Sequence, residues 1–284
     1  SPLVSLGILW FFCAHALTSN ALSLEMVFEH RNYFALLGPI LAISIILKQA
    51  ITAPRSQIIL ASLVVFAFGT LGALRSATWG DPLLLAMDMV AKNPNSARAS
   101  SDLATLYASL SGTNPDSPLF HFAIREFERG SRLVNASSLP EQGLILLSAV
   151  GGQEAKAEWW DSLIHKTRTR PLGPQETMAV YGILVQHQNG HRVSVPKLDE
   201  ALTALLERAE TPAFAKANIA DFVMEDVGDE RRATELYVRA VESSGDDPDF
   251  GRNLVNNLIS EGRIAQATAV ADRMVALGLQ PKAE

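Results

Sequence analysis

The sequence predicts an all-α protein in two parts: three transmembrane helices, followed by a degenerate solenoid of stacked helical hairpins. Three observations predict it. Residues 1–24, 32–47 and 56–74 contain no Asp, Glu, Lys or Arg, whereas charge density is ordinary from Ser76 onward. Past Trp79, apolar residues recur at helical spacing between Gly and Pro punctuation, with no convincing strand alternation. In the last third, Gly228 and Gly262 stand 34 residues apart, as do Ala233 and Ala267. The composition break divides the chain into a membrane domain, residues 1–75, and a soluble helical-repeat domain, residues 76–284.

A bilayer core of about 30 Å requires about 20 helical residues. Residues 2–19 and 56–74 meet that length. Residues 32–47 are short and reach it if Arg31 and Lys48 extend their charged ends to the two interfaces. Pro39, beside Gly38, is expected to kink this second helix. Trp10 and Tyr33 stand near segment ends, as interfacial aromatic residues do. The chain opens at Ser1 without a basic n-region, so the first segment does not read as a signal peptide. The expectation is a fragment or processed form of a larger membrane protein.

The connection between the second and third helices carries Lys48 and Arg55 and no acid, which marks it as cytoplasmic. Residues 20–31 and everything after residue 74 are then expected outside. The predicted localisation is a bacterial inner membrane with the soluble domain in the periplasm. The first 75 residues hold Arg31, Lys48, Arg55 and Arg75 against Glu25 and Glu29, a balance of about +2. With a net charge of −6 for the whole chain, the remainder carries about −8. Such a domain repels phosphate backbones, which argues against a nucleic-acid partner. The lone Cys13 permits no intrachain disulfide, so the soluble domain must be held by packing.

Within that domain, helices are expected over residues 213–226, 230–243, 250–260 and 264–277, forming two hairpins. Phe214, Ile219, Phe222 and Val223 are expected to face inward on the first of these, and Ala233, Leu236, Tyr237, Ala240 and Val241 on the second. Upstream, residues 95–110 with 117–134, 141–149 with 154–166, and 175–188 with 196–209 suggest three more hairpins. The 34-residue interval is the tetratricopeptide length. In that pattern Gly closes the first helix in the left-handed conformation and a small residue about five positions on admits close packing of the second. Stacked hairpins then bury one shared core and offer a concave surface to a protein or peptide.

Leu24-Glu25-Met26-Val27-Phe28-Glu29-His30-Arg31-Asn32-Tyr33 follows one membrane segment and opens another. It resembles the outer-loop motif, (F)E-[HR]-R-x-Y-L-P, of the transmembrane and tetratricopeptide repeat-containing proteins, which include animal O-mannosyltransferases and bacterial relatives. Arg75, Trp79 and the stretch Pro94-Asn95-Ser96-Ala97-Arg98 fit the order of that family's C-terminal portion, whereas Phe34-Ala35-Leu36 departs from its usual Leu-Pro-Ser. The resemblance implies a polytopic transferase that takes sugar from a polyprenyl-phosphate donor on the outer leaflet. The acidic residue that is the family's usual catalytic base, in the first large outer loop, has no counterpart here. Glu29, His30, Arg31 and Tyr33 would form a substrate or lipid-phosphate loop, with Arg31 pairing with the phosphate through its planar guanidinium. Charges between two membrane helices also serve simply to mark the interface.

Other motifs point to no chemistry. His187 and His191 have the i,i+4 spacing of paired metal ligands, but Gly190 intervenes and no Cys or acid cluster joins them, so no metal is expected. Trp159 and Trp160 read as packing residues between hairpins. Asn135-Ala136-Ser137 is a glycosylation sequon, relevant only in a secretory pathway. The sequence contains no phosphate-cradling Gly loop and no nucleophile motif, and no cofactor is expected. Two functions fit: the C-terminal part of a membrane glycosyltransferase-like enzyme whose repeats recognise an acceptor protein, or a non-enzymatic membrane-anchored scaffold for a protein partner. The bilayer is a partner in both.

Overall fold

The computed structural model describes residues 1–20, 29–134, 136–208, 211–245 and 247–279. Among these residues every regular element is a helix, so the chain is all-α. It divides into two compact units, Ser1–Gly80 and Asp81–Glu284.

The first unit holds α1 (Pro2–Asn20), α2 (Glu29–Ala50) and α3 (Pro54–Trp79). α1 and α2 run antiparallel and touch through glycine. A Cβ on Gly38 would collide with the Gly7 carbonyl oxygen, and one on Gly7 would lie 2.5 Å from that of Gly38. Ala35 and Ala42, one turn to either side of Gly38 on α2, are buried. Small residues at such a seam let two backbones approach, the device by which helices associate in lipid. At the other end of α2, Gln57 donates from Nε2 to the carbonyls of Ile51 (2.6 Å) and Lys48 (3.3 Å), supplying partners that a helix C-terminus lacks.

No residue of α3 is buried, and Ile58, Val65, Phe66, Phe68, Leu71 and Leu74 all project outward around it. A helix apolar on every side and covered on none is not the core helix of a soluble domain. Among the described residues two helices are long and apolar enough to cross a bilayer, Asn32–Ala50 and Pro54–Trp79. The expectation of three is corrected on this measure. The apolar run of α1, Pro2–Ala16, spans only about 23 Å at the helical rise, short of a bilayer core of about 30 Å.

The second unit begins with α4 (Pro82–Lys92), which sequence reading overlooked. Five helix pairs follow: α5 (Ala97–Leu110) with α6 (Pro118–Ser131); α7 (Leu139–Val150) with α8 (Ala157–Thr169); α9 (Pro174–Gln188) with α10 (Val195–Leu206); α11 (Ala213–Phe222) with α12 (Glu230–Glu242); and α13 (Pro248–Ser260) with α14 (Ile264–Ala276). Proline in the first turn opens α4, α6, α9 and α13, where its missing N–H costs nothing. Within successive pairs, Gly228 and Gly262 turn the chain at φ of +80° and +77°. First helices pack on first helices from α5 through α7 and α9 to α11, and second helices on second helices at α8–α10 and α12–α14. One continuous core runs from Ala104 to Leu279 and includes Trp159 and Trp160.

α11 passes into a π turn, Val223–Val227, before Gly228 ends it. That turn coincides with a change in spacing between the last two helix pairs. Upstream of it, matching positions lie 35 apart: the buried pairs Ile219/Leu254 and Val223/Leu258 both show this interval. Downstream, Gly228/Gly262 and Ala233/Ala267 lie 34 apart. The π turn accommodates the one extra residue, as such bulges do. The inward-facing set holds at Ile219, Phe222, Val223, Ala233, Leu236, Tyr237, Ala240 and Val241, all buried. Phe214 is the correction: it is 56% exposed, in the first turn of α11, where it meets Tyr181 edge-on.

Candidate functional site

Of the sequence-predicted outer loop, residues 24–28 and the side chains of Glu29, His30 and Arg31 lie outside what is described. The helix α2 begins at Glu29, so the motif continues into its first turns, and Tyr33 there is exposed. Next to it, the Trp10 indole donates from Nε1 to the Phe34 carbonyl at 2.9 Å, and the two rings lie 4.8 Å apart. Asn135 of the sequon is also outside the described residues, and its neighbour Ala136 is buried.

The feature best built for recognition lies on the first helices of the last three pairs. On α9, Tyr181 accepts a hydrogen bond at its hydroxyl from Asn218 Nδ2 of α11 (2.6 Å), and Gln188 donates to the Asn218 carbonyl (3.3 Å). Between α11 and α13 opens a cleft of about 220 Å³, lined by Phe214, Asn218, Asp221, Phe250, Asn253 and Asn257 among others. Asn253 and Asn257 are exposed, one helical turn apart on α13, and Asn253 is the 35-residue counterpart of Asn218. A carboxamide carries both donors and an acceptor, so such a row can pair with the N–H and C=O groups of an extended chain. Phe214 and Phe250 add apolar surface beside it. Sequence reading missed these asparagines, although the 35-residue interval was a usable signal.

Asp221, in the lining of this cleft, belongs to a hydrogen-bonded cluster. Tyr237 on α12 donates to Asp221 Oδ1 at 2.6 Å, and Arg263, at the start of α14, reaches Asp221 (2.8 Å), the Tyr237 hydroxyl (2.6 Å) and Glu225 (2.5 Å). Burial and the Asp221 carboxylate push the Tyr237 phenol far above its ordinary range. Burial opposes the Arg263 cation, and Tyr237, Asp221 and Glu261 outweigh it, so its pKa is raised. One side chain thus ties three helices together.

Two further polar clusters are structural. His187 is buried, its Nδ1 accepts from the Val193 N–H (3.2 Å), and its Nε2 faces Asp226 Oδ1 (3.2 Å) and Arg192 (3.2 Å). The backbone donor leaves Nε2 as the protonated nitrogen, which donates to Asp226. With both ring nitrogens engaged, His187 pairs with α11 rather than with His191, which lies beyond the Gly190 turn. Glu141 and Lys166 form a buried ion pair at 2.6 Å, with Ser162 donating to Glu141 and Lys166 donating to the carbonyls of Ser131 and Ser137. Burial outweighs Glu141 and pulls the Lys166 ammonium below the ordinary lysine range. Among the described residues no three His, Cys, Asp or Glu side chains are grouped to hold a metal ion. No protein-family model, curated protein or solved structure matches the chain.

Proposed function

We propose that this chain is a membrane-anchored adaptor whose helical pairs form a tetratricopeptide-like solenoid that binds an extended segment of a partner protein. The observation that carries this reading is the row of amides and aromatics, Tyr181, Phe214, Asn218, Phe250, Asn253 and Asn257, on the first helices of neighbouring pairs. Stacked pairs present such a row along one face, and its carboxamides can pair with the N–H and C=O groups of an extended peptide. α2 and α3 are the anchor, and α1 packs on α2 at the Gly7–Gly38 seam. The positive charges Lys48 and Arg55 favour a cytoplasmic connection, and in this reading the binding face lies in the periplasm of a bacterial host.

The test is site-specific photocrosslinking in membranes. A benzoylphenylalanine at Phe214 or Asn253 is expected to form a discrete adduct that Asn218→Ala with Asn257→Ala suppresses. The same probe at Glu235, on the second-helix side, is expected to form none. Equal adducts at Glu235 and Asn253 would count against a dedicated face.

A second reading rests on the helix start at Glu29, which sets Glu29, His30, Arg31 and Tyr33 at the first turns of an apolar helix. In that reading the chain is the C-terminal part of a polyprenyl-phosphate-sugar-dependent glycosyltransferase, Arg31 pairs with the lipid phosphate, and the repeat face takes the acceptor protein. Arg31→Lys keeps the charge and loses the planar fork, so a normally inserted variant in the full-length protein is expected to lose glycosylation of periplasmic proteins. Wild-type glycosylation in that variant would leave Arg31 as an anchoring residue.

A further inference from the structure

α4 presents an apolar face that its packing leaves open. Ala86 is buried, and α4 packs on α5. At i, i+3 and i+7 on another face stand Leu84, Met87 and Ala91; Leu84 is 52% exposed and Met87 47%. The charges beside that face, Asp88 and Lys92, neutralise one another in an i,i+4 pair at 2.5 Å.

The backbone fixes where this face begins. α3 ends at Trp79, and Gly80 keeps a right-handed helical conformation, its N–H bonded to the Ser76 carbonyl at 2.9 Å. Asp81 alone is extended (φ −119°, ψ 114°), and its carboxylate caps the next helix by accepting from the N–H groups of Leu83 and Leu84. Pro82 then opens α4. Three peptide units separate Trp79 from Pro82, a reach of at most about 11 Å. Trp79, with the Arg75 guanidinium 5.2 Å over its ring, is the kind of residue that marks a membrane–water interface.

We propose that α4 is an interfacial helix whose Leu84–Met87 face inserts at the headgroup–acyl boundary of the bilayer that α3 spans. This rests on α3 being a membrane span. Three features favour lipid as the occupant. The face starts at Leu84, five residues beyond the end of an apolar, wholly uncovered helix, so lipid contact continues along the chain. The tether makes insertion intramolecular, so a small apolar area is sufficient. The thioether of Met87 and the branched Leu84 suit a fluid environment better than a shaped pocket.

The test is spin-label accessibility on the full chain in lipid nanodiscs, in a Cys13→Ala background. Labels go on Leu84→Cys and Met87→Cys, on Phe66→Cys in α3, and on Met178→Cys, an exposed site on α9. Collisions with oxygen report lipid, and collisions with a water-soluble nickel chelate report solvent. The expected result is an oxygen-to-nickel ratio several-fold higher at positions 84 and 87 than at 178, and highest at 66. A lipid-like value at 66 with water-like values at 84 and 87 would overturn the inference and leave the membrane span standing. Low collision rates with both reagents at 84 and 87 would mean a protein contact and overturn it equally. A water-like value at 66 would remove the span itself.

Discussion

Glu141 and Lys166 show how a residue pair can matter more for its removal than for its presence. Their side chains are 1% and 5% exposed, so each charge depends on the other. Removing one partner strands the second, and Lys166→Met or Glu141→Leu alone is expected to cost about 3–5 kcal/mol. The double replacement is expected to cost clearly less, because it removes both desolvation penalties. Urea melts of the four proteins check this; additive losses would contradict it. Tyr237 makes a pH-dependent prediction. Its proton is retained in the folded chain and released from the unfolded chain near pH 10. The folded state therefore binds more protons above that value, and stability falls as pH rises through it. Tyr237→Phe is expected to lose about 1.5–3 kcal/mol at neutral pH, where the hydrogen bond to charged Asp221 is intact, and to flatten the alkaline decline. Melting curves at neutral and alkaline pH separate the two effects; an unchanged alkaline slope would contradict the assignment.

Among elements, the α1–α2 seam is the least tolerant of added volume. A Cβ at position 38 would meet the Gly7 backbone oxygen, which cannot rotate away. Gly38→Val is therefore expected to part the two helices and lower the melting temperature in detergent micelles, whereas Leu37→Val, on the exposed side, is expected to change little. Equal effects from the two substitutions would contradict the seam. The helices themselves were largely legible from sequence because their ends are chemically marked. Pro118, Pro174 and Pro248 open helices, and Gly228 and Gly262 close them. α4 was legible too, since Asp81-Pro82 is a cap followed by a first-turn proline, but an apolar stretch beside a membrane segment hid it. Phe214 illustrates the limit: a helical wheel assigns a face, yet the first turn of α11 projects past the core. The π turn was invisible because it reconciles two hairpins that meet only in the fold. For the same reason Asn218 and Asn253 did not stand out in the sequence, because only the fold sets them along one cleft.

At the scale of the whole molecule, the second helical unit has its own core, formed entirely within Asp81–Glu284. Residues 81–284 are expected to stay in solution without detergent, give a predominantly helical far-UV circular dichroism spectrum and melt in one cooperative step. A strand-rich spectrum, or a requirement for detergent, would contradict that independence.

The junction at Asp81 has a mechanical consequence. A flexible linker must be pulled out before it bears tension, and its slack insulates an anchor from whatever is hung on it. A single extended residue between two helices has almost no slack to take up. A pull on Pro82 would therefore reach Trp79 with almost no chain to straighten first.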